Sequence, residues 1–458
     1  MDKILPPRRV KSPQAGSRVD RFSEKSYREM RELMKKVASS NAKAFEFQSN
    51  YDVPVPAADI LGPDPLALKH TGSIQTMSTF LNIAIIGHPF IQFDVVVNKE
   101  FLKKYDIKMG NSYVMDRESA FLTEFMEFVD GPPSCSGDGL KTAEAAQWIL
   151  FYPKTVAFLG ACPGNSDQDE IIYCLQESHL TYKLDIRPNA KTSYHLILRD
   201  GKSWSEVYIF DTCSAHMTLH FVDRPRVLTI LERAQLIFIC GRSVLQMNKG
   251  LSGLAYYTSG RFKTLCMQIC EGIDLNHAME ALCAFVKYLD YLFLSKKKAI
   301  ELIKVYQIRV SRMMRLRASK SKQLALTVSD WVHSISNRPC CVILYDGIKK
   351  AYVVSDSEKH KVKVYPSKFY NPRYVVDLVG YESAFSGGFL AQMVQRSATG
   401  PCIDCAFFCA SAVATQMGSH FPINRLELYL MWQKDHDESK PRQRHRNWKH
   451  IFANSRKR

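Results

Sequence analysis

Asp377-Leu-Val-Gly380-Tyr-Glu382-Ser383-Ala-Phe385-Ser-Gly387-Gly388-Phe389-Leu390 is the stretch on which the fold turns. An acid is followed by a glycine and then by an apolar segment, whose helical pattern runs on from Gly387 to Arg396. Upstream, apolar runs at Ile83–Ile86, Val156–Gly160, Ser193–Leu198, Leu236–Cys240, Leu265–Ile269 and Cys341–Tyr345 predict strands. Helical patterns fall between several of them, for example over Asp274–Tyr291. Alternation of this kind predicts a mainly parallel α/β sheet covered by helices, with ligands at the carboxyl ends of the strands.

The same stretch resembles the signature of the ribokinase-like carbohydrate kinases (PfkB family), D-T-x-G-A-G-D-x-F-x-G-G-F. Cys402 to Pro422, with Ala410-Ser411 and Gly418-Ser-His-Phe421-Pro422, is similar to the C-terminal helix and closing G-x-x-F-P of the adenosine kinase branch. Gly87-His-Pro89 is similar to that branch's opening G-N-P-L-L-D, and Ala146-Gln147-Trp148 and Ala234 to Gly241 fall in order between. The resemblance implies a ribokinase-like central sheet with a small lid. It divides the chain into an extension over 1–80, an adenosine kinase-like domain over 81–422 and a basic tail over 423–458.

Departures from the family pattern are equally visible. The resemblance implies an anion hole at the glycine turn and an Asp after it as general base; here Glu382 replaces the second glycine and Ser383 replaces the base. Serine does not accept a proton near neutral pH. An ionised carboxylate about 4 Å from a phosphoryl oxygen would repel it by roughly 4 kcal/mol at an effective dielectric of about 20. The family's N-x-x-E, which organises magnesium and phosphates, aligns with Ser295-Lys-Lys-Lys298. Gln92 stands at the sugar-gripping Asp, with Asp94 two residues on as a rescue by register shift, and Lys141 stands at the Asn of the glycine-rich loop Ser136–Lys141. Six degenerate positions, Gln92, Lys141, Ser295, Lys298, Glu382 and Ser383, together predict a pseudoenzyme that keeps the fold without catalysis, with no cofactor and no metal.

Charge supplies the second theme. The 458 residues carry a formal net charge of +17, which points to a polyanionic partner. Between Lys296 and Lys322 stand ten Lys or Arg against the single acid Glu301, and the tail from Lys440 holds eight with no acid. Lys296, Lys297, Lys298, Arg309, Arg312, Arg315, Arg317, Lys320, Lys322, Arg442, Arg444 and Arg446 are therefore the expected RNA-binding residues. Lys359, His360, Lys361 and Lys363 alternate with valines and predict a charged strand edge instead. Pro6-Pro7-Arg8-Arg9 and Lys11 give the N-terminal segment a basic character, with Asp2 the only acid before Val19, and that composition allows a mitochondrial location, a cytoplasmic one being the alternative.

No run of eighteen apolar residues is present, so no membrane-spanning role is expected. The thirteen cysteines are scattered through apolar runs, as expected of buried free thiols in a reducing compartment, and Cys402, Cys405 and Cys409 read as apolar filler on a packed helix. The function expected from the residues is thus a non-catalytic structural or assembly component of an RNA-containing complex such as the mitochondrial ribosome, contacting rRNA and neighbouring proteins. Two alternatives stand beside it: an active nucleoside or sugar kinase using another base, and a nucleoside-sensing regulatory protein paired with an active paralogue.

Overall fold

The computed structural model describes residues 81–422, apart from positions 151, 166, 202, 211–218, 247–253, 256–257, 259–262, 309–319, 337, 356–360, 371 and 373–374. Fourteen strands are present among the described residues: β1 (Ile83–Ile86), β2 (Phe90–Val96), β3 (Ser112–Val114), β4 (Ser134–Ser136), β5 (Val156–Pro163), β6 (Thr181–Arg187), β7 (Tyr194–Asp200), β8 (Ser203–Ile209), β9 (Leu236–Cys240), β10 (Thr264–Ile269), β11 (Tyr291–Ser295), β12 (Cys341–Asp346), β13 (Lys350–Val354) and β14 (Val362–Pro366). The principal helices are α1 (Asp138–Leu150), α2 (Asp167–Glu177), α3 (Leu275–Val286), α4 (Lys296–Val305), α5 (Lys320–Ile335), α6 (Tyr381–Met393) and α7 (Thr399–Val413).

Nine strands form the main sheet in the order β14-β13-β12-β11-β10-β9-β1-β5-β6. From β6 to β12 every neighbour pair is parallel. The sequence dictates this: β1, β5 and β9 are buried along their whole length, the signature of strands covered on both faces. Side chains alternate into two cores, one holding Ile83, Ile85, Phe158 and Phe238 under α1, α6 and α7, the other holding Ala84, Ile86, Leu159 and Ile237 under α3 and α5. Antiparallel β13 and β14 extend one side, and β14 is the edge strand, where Lys361 and Lys363 are exposed as the alternating charge predicts.

The second sheet, β3-β8-β7-β2-β4, is the lid. It buries its own aromatic core of Phe101, Phe121 and Phe125 against Leu196, Leu198 and Val207.

Most expected strands fall within two or three residues of those observed. The helix expected over Asp274–Tyr291 stops at Val286, and Tyr291–Ser295 is a strand between β10 and β12. Asp274 caps α3 by accepting from the Asn276 N–H at 2.9 Å. The Gly387–Arg396 helix starts earlier, at Tyr381, because Gly380 takes a left-handed φ of 78° that launches it. Gly387 and Gly388 let α6 sit between two helices at close range. A Cβ at 387 would lie 2.5 Å from Ala145 Cβ, and one at 388 would lie 2.7 Å from Cys409 Sγ. Cys402, Cys405 and Cys409 are buried on α7, where the last two pack against Gly388.

Candidate active site

Carboxyl ends of β10, β11 and β12 open onto a cleft of about 730 Å³. Its floor is Glu271, Ser295, Tyr345, Asp346 and the turn Gly380–Ser383; its roof is lid residues including Asn111, Trp204, Glu206 and Tyr208. A parallel sheet places its ligand sites at this edge, and the sequence-predicted turn is part of it.

Asp377 anchors the turn. Its side chain is fully buried, and it accepts from the N–H groups of Val379 at 3.1 Å and Gly418 at 2.8 Å. It also accepts from the Arg199 guanidinium at 2.7 Å, and Arg199 forks onto both carboxylate oxygens of Asp94. Arg199 stands on β7 and Asp94 on β2, so this bridge ties the lid to the start of α6. Burial alone would lower the Arg199 pKa, but the two carboxylates hold it above the ordinary arginine value.

Glu382 occupies the first turn of α6, partly open to the cleft. The phenols of Tyr345 and Tyr381 donate to its carboxyl oxygens at 3.2 and 3.0 Å. Burial, and next the carboxylate of Glu271, push the Glu382 carboxyl well above the usual range. Ser383 is buried behind it.

Ser295 caps α4, accepting from the Lys298 N–H at 3.2 Å while its hydroxyl donates to Glu271 at 3.0 Å. Lys296 pairs with Asp346 at 2.8 Å and Lys297 with Glu271 at 3.4 Å, both at the cleft. Lys298 turns away: it is buried, and its ammonium donates to the Ile273 carbonyl at 3.1 Å and to Glu301 at 2.8 Å. The lysine aligned with the metal-organising carboxylate therefore sends no charge into the cleft, and Glu271 brings a carboxylate there from the neighbouring strand.

Asp138 opens α1 at the cleft, 3.2 Å from Nε of the buried Arg242. The guanidinium of Arg242 stacks over the Tyr208 ring, 3.7 Å from its centroid. Glu206 accepts from the Tyr208 hydroxyl at 3.0 Å. Burial would raise the Glu206 carboxyl, yet the His195 imidazole 3.7 Å away holds it down to about 2.

The two sugar-grip positions lie outside the cleft lining. Gln92 is buried on β2, and Lys141 is buried in an ion pair with Glu144 at 2.8 Å. Asp94 is held by Arg199. Of the expected RNA contacts, Lys296 and Lys297 are paired at the cleft, Lys297 remaining exposed, and Lys298 is buried. Lys320 is exposed and Lys322 half-buried at the start of α5. Arg309, Arg312, Arg315, Arg317, Arg442, Arg444 and Arg446 lie outside the described residues, as do His360, Lys359 and the N-terminal segment.

Sequence reasoning missed Arg199, Glu206, Arg242, Glu271 and Asp346. Their signal was positional: Glu271 and Asp346 follow or close predicted strands at the sheet's carboxyl edge. Asp138 and Asp377 belong to the two glycine-containing motifs, over 136–141 and 377–390.

A family model described as pfkB family carbohydrate kinase matches residues 123–425. Adenosine kinase 2 of Arabidopsis thaliana is 20% identical over 342 residues, covering 74% of this chain and 94% of that protein. Adenosine kinase of Dictyostelium discoideum is 20% identical, covering 75% and 97%. Among solved structures, adenosine kinase from Schistosoma mansoni in complex with 2-fluoroadenosine superposes with a TM-score of 0.67 at 17% identity, covering 76% of this chain and 99% of that one. Anopheles gambiae adenosine kinase with a di(adenosine) tetraphosphate gives 0.66 at 19%, covering 75% and 98%.

These matches correct the expectation of a non-catalytic protein: the family and the relatives are kinases, aligned over nearly the full length of each relative. The physical reason for the error is in the cleft. Carboxylates were sought at fixed positions, whereas the cleft is lined by Glu271, Asp138 and Asp346 as well as Glu382, from different strand ends and loops.

Proposed function

The chain belongs to the pfkB family of carbohydrate kinases, and from that premise we propose that it transfers the terminal phosphoryl group of a nucleotide to a hydroxyl of a nucleoside or sugar, with Glu382 as the general base. The observation that carries this reading is the environment of Glu382: a carboxyl at a helix N-terminus, held by two phenols, facing the cleft, with its pKa raised well above the usual carboxylate range by burial and by Glu271.

The rest of the cleft suits a phosphorylated substrate. Lys296 and Lys297 attract phosphates, and the first-turn N–H groups of α6 face developing negative charge. Glu271 and Asp346, oxygen donors beside those lysines, fit a hydrated magnesium ion, which when bound with a nucleotide neutralises phosphate charge. The Arg199 bridge holds the lid to the turn that opens α6. The names of the relatives from Arabidopsis thaliana and Dictyostelium discoideum, adenosine kinases, favour a nucleoside acceptor; the change at Gln92 and Lys141 favours an acceptor gripped differently from theirs.

Transfer of labelled phosphate from ATP to a panel of adenosine, other nucleosides and common sugars, with magnesium, tests the proposal. Turnover is expected, with Glu382→Gln losing roughly 10²–10⁴-fold and Ser383→Ala staying within a few-fold. Absence of transfer above the no-enzyme control across the panel, or loss on Ser383→Ala with Glu382→Gln active, refutes it.

A further inference from the structure

Away from the cleft, three side chains converge that the phosphotransfer reading does not use. Cys135 stands on β4, and Glu170 and Cys174 stand one turn apart on α2. The two sulfurs and a carboxylate oxygen all lie within 4.8 Å of one another. Cys174 Sγ is 3.8 Å from Glu170 Oε1, and Cys135 Sγ is 3.5 Å from the Glu170 carbonyl. A tetrahedral zinc ion with Zn–S of about 2.3 Å and Zn–O of about 2.0–2.2 Å sets its ligand atoms roughly 3.5–3.8 Å apart; the Glu170–Cys174 edge already has that length, and the other two edges lie within 4.8 Å. Cys135 is buried while Glu170 and Cys174 are half-buried, which leaves an entry path and an open fourth position for water.

We propose that Cys135, Glu170 and Cys174 form a binding site for a thiophilic divalent cation, zinc in the first instance, completed by water. Two thiolates select zinc over magnesium or calcium, and the i, i+4 pair on α2 presents two ligands on one helix face. Each thiol releases its proton to solvent as the ion binds. The site is separate from the cleft but linked to it: Cys135 is followed by Ser136-Gly137-Asp138, so an ion here clamps α2 to the strand that leads into the loop presenting Asp138. A second trio, Asp138, Cys240 and Cys270, has comparable spacing. There the Asp138 carboxylate already faces the Arg242 guanidinium at 3.2 Å, which opposes a further cation.

The full-length protein, reduced and stripped with a chelator, is titrated with cobalt(II) as a spectroscopic stand-in for zinc. One cobalt per chain is expected, with near-ultraviolet thiolate-to-cobalt charge transfer that Cys135→Ala and Cys174→Ser abolish and Cys283→Ser leaves intact. Absence of charge transfer in the wild type, or its persistence in the Cys135→Ala/Cys174→Ser double variant, overturns the site. Wild-type protein alone gives a second reading that needs no variant to fold. Zinc is expected to slow alkylation of Cys174 by roughly tenfold, as expected when a thiolate becomes a metal ligand, with Cys283 unaffected; equal rates with and without zinc overturn the proposal.

Discussion

Replacing Arg199 with Met removes the guanidinium while keeping most of the side chain's apolar length, so the cost is set by how the two stranded carboxylates are solvated. Asp377 is fully buried and Asp94 is 28% exposed. Water can solvate Asp94 after the change; among the described residues Asp377 keeps the N–H groups of Val379 and Gly418. Breaking a buried pair from one side costs about 3–5 kcal/mol, and the two remaining donors place this case near the lower end, about 3 kcal/mol. Asp94→Asn, which leaves the Arg199–Asp377 contact in place, costs no more than about 1 kcal/mol. At about 2.1 cal/mol/K per residue, the roughly 340 residues from 81 to 422 unfold with an entropy of about 0.7 kcal/mol/K, so Arg199→Met lowers Tm by about 4 °C. Calorimetry at neutral pH measures both variants. The reasoning fails if Arg199→Met loses no more than Asp94→Asn.

Three other outcomes are expected. Because the Glu382 pKa is raised in the folded state, folding favours its protonated form; the resulting stability is fully present below the ordinary carboxylate pKa and is lost as pH rises through the folded value. Glu382→Gln is therefore expected to melt higher than wild type at pH 8 and equally at pH 4, while wild-type kcat rises with pH through the same ionisation; a variant no more stable at pH 8 contradicts the raised pKa. Gly387→Ala sets a Cβ 2.5 Å from the Thr142 carbonyl oxygen, so overpacking of about 1–3 kcal/mol outweighs a helix-propensity gain of at most about 1 kcal/mol, whereas Gly131→Ala, in open space, is neutral in the same urea titration. Lys296→Ala/Lys297→Ala is expected to raise KM for the nucleotide by roughly tenfold or more, about 1.4 kcal/mol, with little change in KM for the acceptor, as read from steady-state kinetics.

The main sheet was legible because its strands are apolar on both faces. Ile83–Ile86 and Leu236–Cys240 coincide with the observed strands to the residue. Tyr291–Ser295 was not, since a five-residue apolar run directly after a helix carries no period that distinguishes it from one more turn. The lid was implied by resemblance alone. Its strands β3 and β4 are three residues each, too short for an alternation to show, and its core is assembled from Phe101, Phe121 and Phe125 on helices that flank them.

The active-site error has a geometric cause that extends beyond this chain. Aligning Ser295-Lys-Lys-Lys298 with a carboxylate-bearing motif asks what one position carries, whereas a site at the carboxyl edge of a parallel sheet is assembled across strands. Ile269 pairs with Leu294 and Ser295 pairs with Tyr345, so the register brings the residues just past β10 level with the end of β11 and the close of β12. Glu271, Ser295 and Asp346 meet there although 75 residues of chain separate the first from the last. The start of α4 and the end of β10 open on the same cleft, so a carboxylate from either reaches it. The cation at 298 stays out of the cleft because its ammonium is engaged by the Ile273 carbonyl and Glu301 instead. Charge in such a cleft is a property of the strand ends taken together, so Glu382 must be judged beside Glu271, whose carboxylate adds to burial in raising its pKa, rather than as a glycine that went missing.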